Sequence, residues 1–465
     1  MKTYQDWLEV ASKSEQERMS FIYAAIQEHK TSKPYQDALI GEDYYNGENT
    51  TIKRLQKFIY NASGQAVPDY ISANHKLATR FFYRSVTQAT SVLLGNGITW
   101  GDDATGQKLG KDFDKKIAAV ASGVQVEGTY FGFFNLDHVD IFALTEFRPL
   151  YDEEDGALKT GFRFWQIADD KPLRVTAFEM DGYTEYIFKS GQGEVLVPKR
   201  SYIVKYTETA ADGKEIYKGE NYPVFPVVPC YCNKTKTSEL NPIRPTIDGY
   251  DLISSGYAND IDDANILFWT ITNAGGMNDA DLVQTLDKLR KLHMAQLDGD
   301  QTIEAHAVDM PYQGREAILD RLEKQLYKDS MTLNTYDLAN GAVTATQIEA
   351  AYEPLNQKLD QLEFYITDFI QRLLAVSGIK DEPTYTRSII VNKAEDINAL
   401  INSALYLDED YMTEKIMTLL GDKDKVQEVL KRRAAENVKR FTGGTQAQAT
   451  GNAGEITNEE EATEV

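Results

Sequence analysis

The chain has 465 residues, 42% of them hydrophobic, enough for several domains or one elongated multi-part subunit with its own core. Lys and Arg number 49 against 72 Asp and Glu, and the net charge of −23 excludes a protein that neutralises nucleic-acid phosphates over its whole surface. Two cysteines, Cys230 and Cys232, cannot build a disulfide framework or a four-cysteine zinc site, and they read as small buried thiols beside a strand.

The N-terminus, "MKTYQDWLEVASKSEQERM", lacks the apolar core of a secretory signal. No stretch reaches the roughly 18 unbroken apolar residues of a membrane span, so an intracellular, soluble protein with no membrane partner is expected. Residues 1 to about 120 read as mostly helical: Met19, Ile22, Ala25 and Ile26 recur at helical spacing, and "HKLATRFFYRSVTQATSVLLG" repeats the pattern before Gly95. From about Val124 to Asn233 the pattern changes to short alternating runs, "FRFWQI", "TEYIFK" and "SYIVKYTE", separated by the turn clusters "DEEDG", "EMDG", "SGQG" and "AADG". That section is expected to be antiparallel and rich in hairpins.

Pro242 and Pro245 suit the first turn of a helix, and a long helix should follow them. Ile247, Tyr250, Ile253, Tyr257, Ile261, Ala264 and Phe268 form one narrow apolar stripe on it, with Asp248, Asp251 and Asp262 opposite. Gly249 and Gly256 each cost about 1 kcal/mol relative to Ala in a helix, which points to close approach of a neighbouring backbone or to a bend. After "NAGGMND" come a short helix, "DADLVQTLDKLRKLHMAQL", and a strand, "QTIEAHAVDM". A charged helix with Ile318, Leu322 and Leu326 follows. Met331 to Thr346 is then a polar loop, longer than the usual two to eight residues between helices.

The strongest periodicity lies in Ile348, Tyr352, Leu355, Leu359, Leu362, Ile366, Phe369 and Leu373, spaced alternately by four and three. Such a heptad seam needs a facing partner, and Pro354 should kink it near its start. A strand, "TRSIIVN", and two shorter helices complete the ordered chain, and the tail from Thr442 to Val465 is expected to be disordered. The fold class is therefore α+β.

Most enzyme classes are disfavoured. No G-x-x-x-x-G-K-[ST] nest for nucleotide phosphates and no G-x-S-x-G elbow occurs, and His29, His75, His138, His293 and His306 lack the i, i+4 pairing of a helix-borne zinc site. No cofactor or metal is expected. A hydrolase using two carboxylates is a reading that 72 acids cannot test by counting.

Six segments, in order, resemble the portal proteins, the head-to-tail connectors of tailed bacteriophages and prophages, in the branch of long-tailed phages of Gram-positive hosts. "EDYYNGENTTIKR" is similar to the family's Tyr-x-x-Gly-x-Asn-x-x-Ile opening, with Tyr44, Gly47, Asn49 and Ile52 in place. "SANHKLATRFFYRSVTQATSVLLGNGITW" resembles its next helix, with His75 where a second Asn is frequent. "YPVFPVVPCYCNK" is similar to the strand closing the wing, "IDGYDLISSGYANDIDDANILF" and "VDMPYQGREAILDRLEKQLYKDS" to the two stem helices, and "TATQIEAAYEPLNQKLDQLE" to the start of the long helix.

The resemblance implies a portal fold: a wing over residues 1–240 with its β-rich part at 124–235, a stem helix at 243–265, a clip at 266–314 and a second stem helix at 315–330. A tunnel loop at 331–346, a long wing helix and strand at 347–400, a crown at 401–441 and the tail at 442–465 complete it. It implies a non-enzymatic ring, twelve subunits in assembled members, at the capsid vertex of a virion, built in the host cytoplasm. Double-stranded DNA would pass through it during packaging and ejection. The implied partners are the terminase large subunit, the head-tail adaptor, and the major capsid and scaffolding proteins. Another oligomeric head or tail structural protein is the competing reading.

Within that picture Asp248, Asp251 and Asp262 are expected to face either the DNA passage or bulk water, and Asn334 and Asn340 lie in the tunnel loop. Lys431, Arg432 and Arg433 either touch DNA or form a solvated helix end. Tyr257, Ile261, Leu359, Leu362 and Ile366 are expected to meet other chains of the ring.

Overall fold

Thr3 and Ser14 each open a helix in the same way. The hydroxyl accepts the backbone N–H three residues on, and the acid there, Asp6 or Glu17, accepts the capping residue's own N–H, so orphan donors are satisfied in both directions. The resulting helices are α1 (Tyr4–Ala11) and α2 (Glu15–Thr31), followed by α3 (Lys33–Tyr45), with a proline in its first turn. The computed structural model describes residues 2–60, 63–70, 72–209, 215–264, 268–272, 302–306, 312–336, 345–388, 406–420 and 425–444, with isolated positions at 278–285 and 397–403. Two units are present: Met1–Gly341 with Ala350–Ser388, and Ala342–Glu349 with Ile389–Val465.

In the first unit α4 (Thr50–Lys53) leads to a hairpin of β1 (Phe58–Tyr60) and β2 (Ala66–Pro68), paired Ile59 to Val67. Then come α5 (Phe81–Leu94), β3 (Ile98–Thr99), α6 (Asp103–Lys108) and α7 (Phe113–Glu127). The expected helical N-terminal part therefore also carries three short strands. Gly128 ends α7 at φ +85°, and a Cβ there would stand 2.7 Å from the Lys236 carbonyl oxygen, so only glycine fits both the left-handed turn and the crossing chain.

The β-rich section follows as expected: β4 (Thr129–Asn135), β5 (His138–Ala143), β6 (Phe147–Tyr151), β7 (Leu158–Trp165), β8 (Leu173–Glu179), β9 (Gly182–Lys189), β10 (Gln192–Arg200), β11 (Ile203–Thr209), β12 (Glu215–Glu220) and β13 (Val227–Tyr231). All pairings are antiparallel. Strands β6 to β10 form a five-stranded meander, and β13-β4-β5 a second sheet. Helices α1 and α2 bury Trp7, Phe21, Ile22 and Ile26 against Phe162, Val175, Tyr186 and Phe188 of the meander. Such large apolar side chains contribute about 1.5–3 kcal/mol each when fully buried.

One feature of this core was not legible in the sequence. Glu127, at the end of α7, is buried and accepts the N–H groups of Leu144 (2.8 Å) and Thr145 (3.3 Å). Burial, with the Glu42 carboxylate nearby, pushes its carboxyl up to about 8. His29, also buried and bonded to the Leu144 carbonyl at 2.9 Å, is pushed down to about 4 by burial, so it stays neutral.

Helix α8 (Leu240–Ala264) and α9 (Tyr312–Asp329) pack together, and between them β14 (Phe268–Thr272) pairs with β15 (Thr302–His306). The predicted helix stops short of Phe268, which opens β14 instead. Helix α10 (Ala345–Ser377) holds Pro354 in its body. Short strand β16 (Thr384–Tyr385) pairs with β3.

The seam of α10 finds its partner in its own chain. Leu359, Leu362, Ile366 and Phe369 are all buried, and Phe369 lies so close to Gly132 of β4 that a Cβ there would stand 2.6 Å from its ring. The sequence expected Leu359, Leu362 and Ile366 at a subunit interface. All three are instead buried within the single chain, and one turn on the seam meets the sheet at Gly132. Cys230 and Cys232 are buried thiols, Cys230 within β13, as expected. In the second unit α11 (Glu409–Leu420) and α12 (Val426–Gly444) pack together. The expected short helix after Asn278 lies mostly outside the described residues; α12 runs to Gly444, so the first three residues of the tail expected from Thr442 are helical, and the rest of that tail lies outside the described residues.

Candidate functional site

Helix α8 is the element on which most of the expected site residues converge. Its Ile243 and Ile247 enter a core with Tyr44, Phe81, Phe82, Val86 and Leu326. Most of its polar face, Asp251, Ser255 and Asn259, is buried. Asp251 is 1% exposed and accepts Asn49 Nδ2 at 2.8 Å and the Thr79 N–H at 2.9 Å. One turn on, Ser255 Oγ accepts the Leu77 N–H at 2.9 Å, and another turn on, Asn259 Oδ1 accepts the His75 N–H at 2.6 Å.

This is a register between two periods. Two residues of extended chain advance about 6.6 Å and four residues of helix about 6 Å, so alternate amides of residues 75–79 meet every fourth side chain of α8. The strap runs antiparallel to the helix and ends on a contact of 2.5 Å between His75 Nε2 and Asp262 Oδ2, both half-exposed. Three aspartates expected to form one open acidic face are thus divided. Asp251 is interior, Asp248 is partly buried, and only Asp262 keeps substantial exposure. The physical reason is that an otherwise unpaired strap of backbone donors needs acceptors, and short polar side chains supply them.

The same contacts explain the Tyr-x-x-Gly-x-Asn-x-x-Ile segment. Asn49 Oδ1 accepts the N–H groups of Thr51 and Ile52 and so caps α4, while its Nδ2 reaches Asp251. Gly47 takes φ +82°, and Ile52 is buried. Tyr44 Oη meets Asp248 Oδ1, Thr51 Oγ1 donates to Asp248 Oδ2 at 3.0 Å, and the Arg244 guanidinium lies 5.5 Å over the Tyr44 ring. Burial pushes the Asp251 carboxyl up to about 6 against the pull of its two donors.

Sequence reasoning missed Ser255 and Asn259. A signal was present: Asp251, Ser255, Asn259 and Asp262 are all short polar residues at i, i+4, i+8 and i+11, whereas a solvated helix face more commonly carries the long chains of Glu and Lys.

The remaining expected residues are scattered. Tyr257 lies under the Arg315 guanidinium at 5.8 Å, and Arg315 pairs with Asp260, so this part of the stripe meets α9. Ile261 is exposed, as is Leu252, and nothing stands within 4 Å of a Cβ built at Gly249 or Gly256. Asn334 follows a tied stretch in which Leu333 exchanges both backbone bonds with the Gln88 amide, at 2.9 and 3.1 Å. Asn340 lies outside the described residues. In the second unit Arg433 pairs with Glu409 and donates to Thr413 at 2.9 Å, Arg432 pairs with Glu428 at 2.7 Å, and Lys431 is exposed. Among the described residues no group of His, Cys, Asp and Glu could hold a metal, and no helix is long and apolar enough to cross a membrane.

Comparison with known proteins adds the context. Residues 149–439 match the model of the family described as phage portal protein, SPP1 Gp6-like. The portal protein of Bacillus phage SPP1 is 22% identical over 428 residues, covering 82% of this chain and 79% of that protein. The portal protein of Clostridium phage phiCD119 is 27% identical over 181 residues, 37% of this chain and 40% of that one. Among solved structures, a chain from the neck of an empty GTA particle, computed with C6 symmetry, aligns with a TM-score of 0.43 at 11% identity, over 73% of this chain and 90% of that chain. A chain from the neck of the native GTA particle, computed with C12 symmetry, aligns at 0.42 and 10% identity, over 72% and 89%.

Proposed function

The chain belongs to the SPP1 Gp6-like family of phage portal proteins, and from that premise we propose that it forms a closed ring of about twelve copies at the capsid vertex. The ring passes double-stranded DNA during packaging and ejection. Residues 243–265 and 315–330 serve as its stem, and the loop at 331–346, with Asn334 at its start, lines the passage. The clip, residues 266–314, receives the terminase large subunit and later the head-tail adaptor. Residues 1–240 meet the major capsid and scaffolding proteins, and residues 401–441 form the crown. Of the three aspartates of α8, only Asp262 keeps enough exposure for a place near DNA. Nucleotide hydrolysis belongs to the terminase, a division of labour supported by the lack of a G-x-x-x-x-G-K-[ST] motif in the sequence.

The observation that carries the assembly is the bare face of α8: Leu252 is 51% exposed between Gly249 and Gly256, around which a Cβ would meet no atom. A helix bearing a large apolar side chain between two glycines is shaped to receive a neighbouring helix closely. Mass by light scattering and negative-stain imaging of the purified chain test this. Rings with a central hole are expected for the wild type, and smaller species for Leu252→Asp with unchanged helical circular dichroism. A wild-type chain that stays monomeric, or normal rings from the variant, refutes the assignment.

A further inference from the structure

Among the described residues, neither strand of the hairpin β1–β2 joins a hydrophobic core. Every residue of β1 is exposed, and Phe58, Tyr60 and Tyr70 are 59%, 78% and 85% exposed. An isolated two-stranded hairpin is marginal in water, and a cluster of bare aromatic rings calls for a partner. The hairpin is nevertheless held firmly at its base: the strap of residues 75–79 is tied to α8, Lys57 Nζ donates to the Ala73 carbonyl at 2.5 Å, and Lys76 Nζ to the Leu55 carbonyl at 2.5 Å. It is an arm with a fixed root and exposed aromatic rings on its strands.

Its charge is opposite to that of the chain. Between Lys53 and Leu77 stand Lys53, Arg54, Lys57 and Lys76 against the single acid Asp69, which is buried and accepts the Ser72 N–H at 3.0 Å, in a protein of net charge −23; Lys53 also pairs with Glu48 at 2.8 Å, an exposed contact worth little. A complementary surface lies on the other flank of α8. Tyr250 of α8 and Glu316, Ala317, Leu319, Asp320 and Glu323 of α9 line a groove of about 490 Å³. Its only cation within ion-pair reach is Lys324, 3.7 Å from Asp320 and largely exposed, a contact worth little, among the described residues.

The two surfaces cannot serve each other within one chain. At about 100° per residue, the side chains that hold the strap, Asp251, Ser255 and Asn259, lie opposite Tyr250 and Tyr257, against which α9 packs. Complementary patches on opposite flanks make a heterologous contact, which closes into a ring where the rotation between neighbouring copies allows it. We propose that the aromatic, basic arm of one copy docks in the acidic groove of the next copy. Arg54 and Lys53 would face Asp320 and Glu323, and Phe58 and Tyr60 would cover Tyr250 and Leu319. This rests on the ring reading above and adds to it which surfaces meet.

The test uses the full chain in three forms: Lys53→Glu with Arg54→Glu, Asp320→Lys with Glu323→Lys, and all four changes together. Species are read by sedimentation velocity at 0.15 M salt, and folding by far-ultraviolet circular dichroism. Each pair alone is expected to move most of the protein from rings to smaller species with an unchanged spectrum, and the four changes together to restore rings. Normal rings from both pairs overturn the docking while leaving the ring reading intact, as does a folded four-fold variant that stays unassembled. A wild-type chain that never exceeds a monomer overturns both. Should the arm variant form normal rings but lose DNA binding in a gel-shift assay, the arm serves nucleic acid and the docking is refuted.

Discussion

Asn49→Asp isolates the contact between the strap, α4 and α8. Aspartate caps a helix as well as asparagine does, so α4 keeps its acceptor, but the donor that Asp251 receives at 2.8 Å is replaced by a second carboxylate. At pH 8 the loss of a hydrogen bond to a charged group costs about 1.5–3 kcal/mol. Two carboxylates some 4 Å apart at an effective dielectric constant of 20 repel by about 4 kcal/mol more. Together these amount to about 6 kcal/mol. Asp251 is already pushed up to about 6 by burial, and the new neighbour raises it further. For a group whose folded pKa is raised, stability is fully present below the unfolded value and lost as pH rises through the folded one. The variant should therefore share one proton between its two carboxyls at pH 5 and melt close to the wild type. At pH 8, taking about 2 °C per kcal/mol for a large domain, it should melt on the order of 10 °C lower. Thermal unfolding followed by circular dichroism at the two pH values reads this. An equal gap at both pH values, or none at pH 8, refutes the reasoning.

Glu127→Gln can keep both backbone donors on its amide oxygen while removing the titration. The wild type holds its full contribution below the ordinary glutamate range and loses up to about 5 kcal/mol as pH rises through about 8. The variant's melting temperature should gain on the wild type's between pH 6 and 9, and parallel profiles would contradict the burial of a charge there. Amide exchange should alternate along the strap, with His75, Leu77 and Thr79 protected and Lys76 and Ala78 exchanging faster, because alternate amides reach α8. Uniform protection would point to a different register.

The sequence by itself determined the kinds of element and their order. Hydrophobic alternation found the hairpins of β7, β9 and β11, the four-three spacing found α10, and the run of short motifs identified the family, because periodicity and turn chemistry are local properties. What each face looks at was decided only by tertiary structure. The seam of Leu359, Leu362 and Ile366 asked for a partner, and period alone cannot distinguish another chain from the rest of the same fold, in which all three are buried. The aspartates of α8 were acidic on any helical wheel, but whether they met water, DNA or peptide depended on a strap some 170 to 190 residues away in the chain. Burial and pairing are set by contacts distant in sequence, and those same contacts convert Asp251 from a surface charge into the acceptor that fastens the arm.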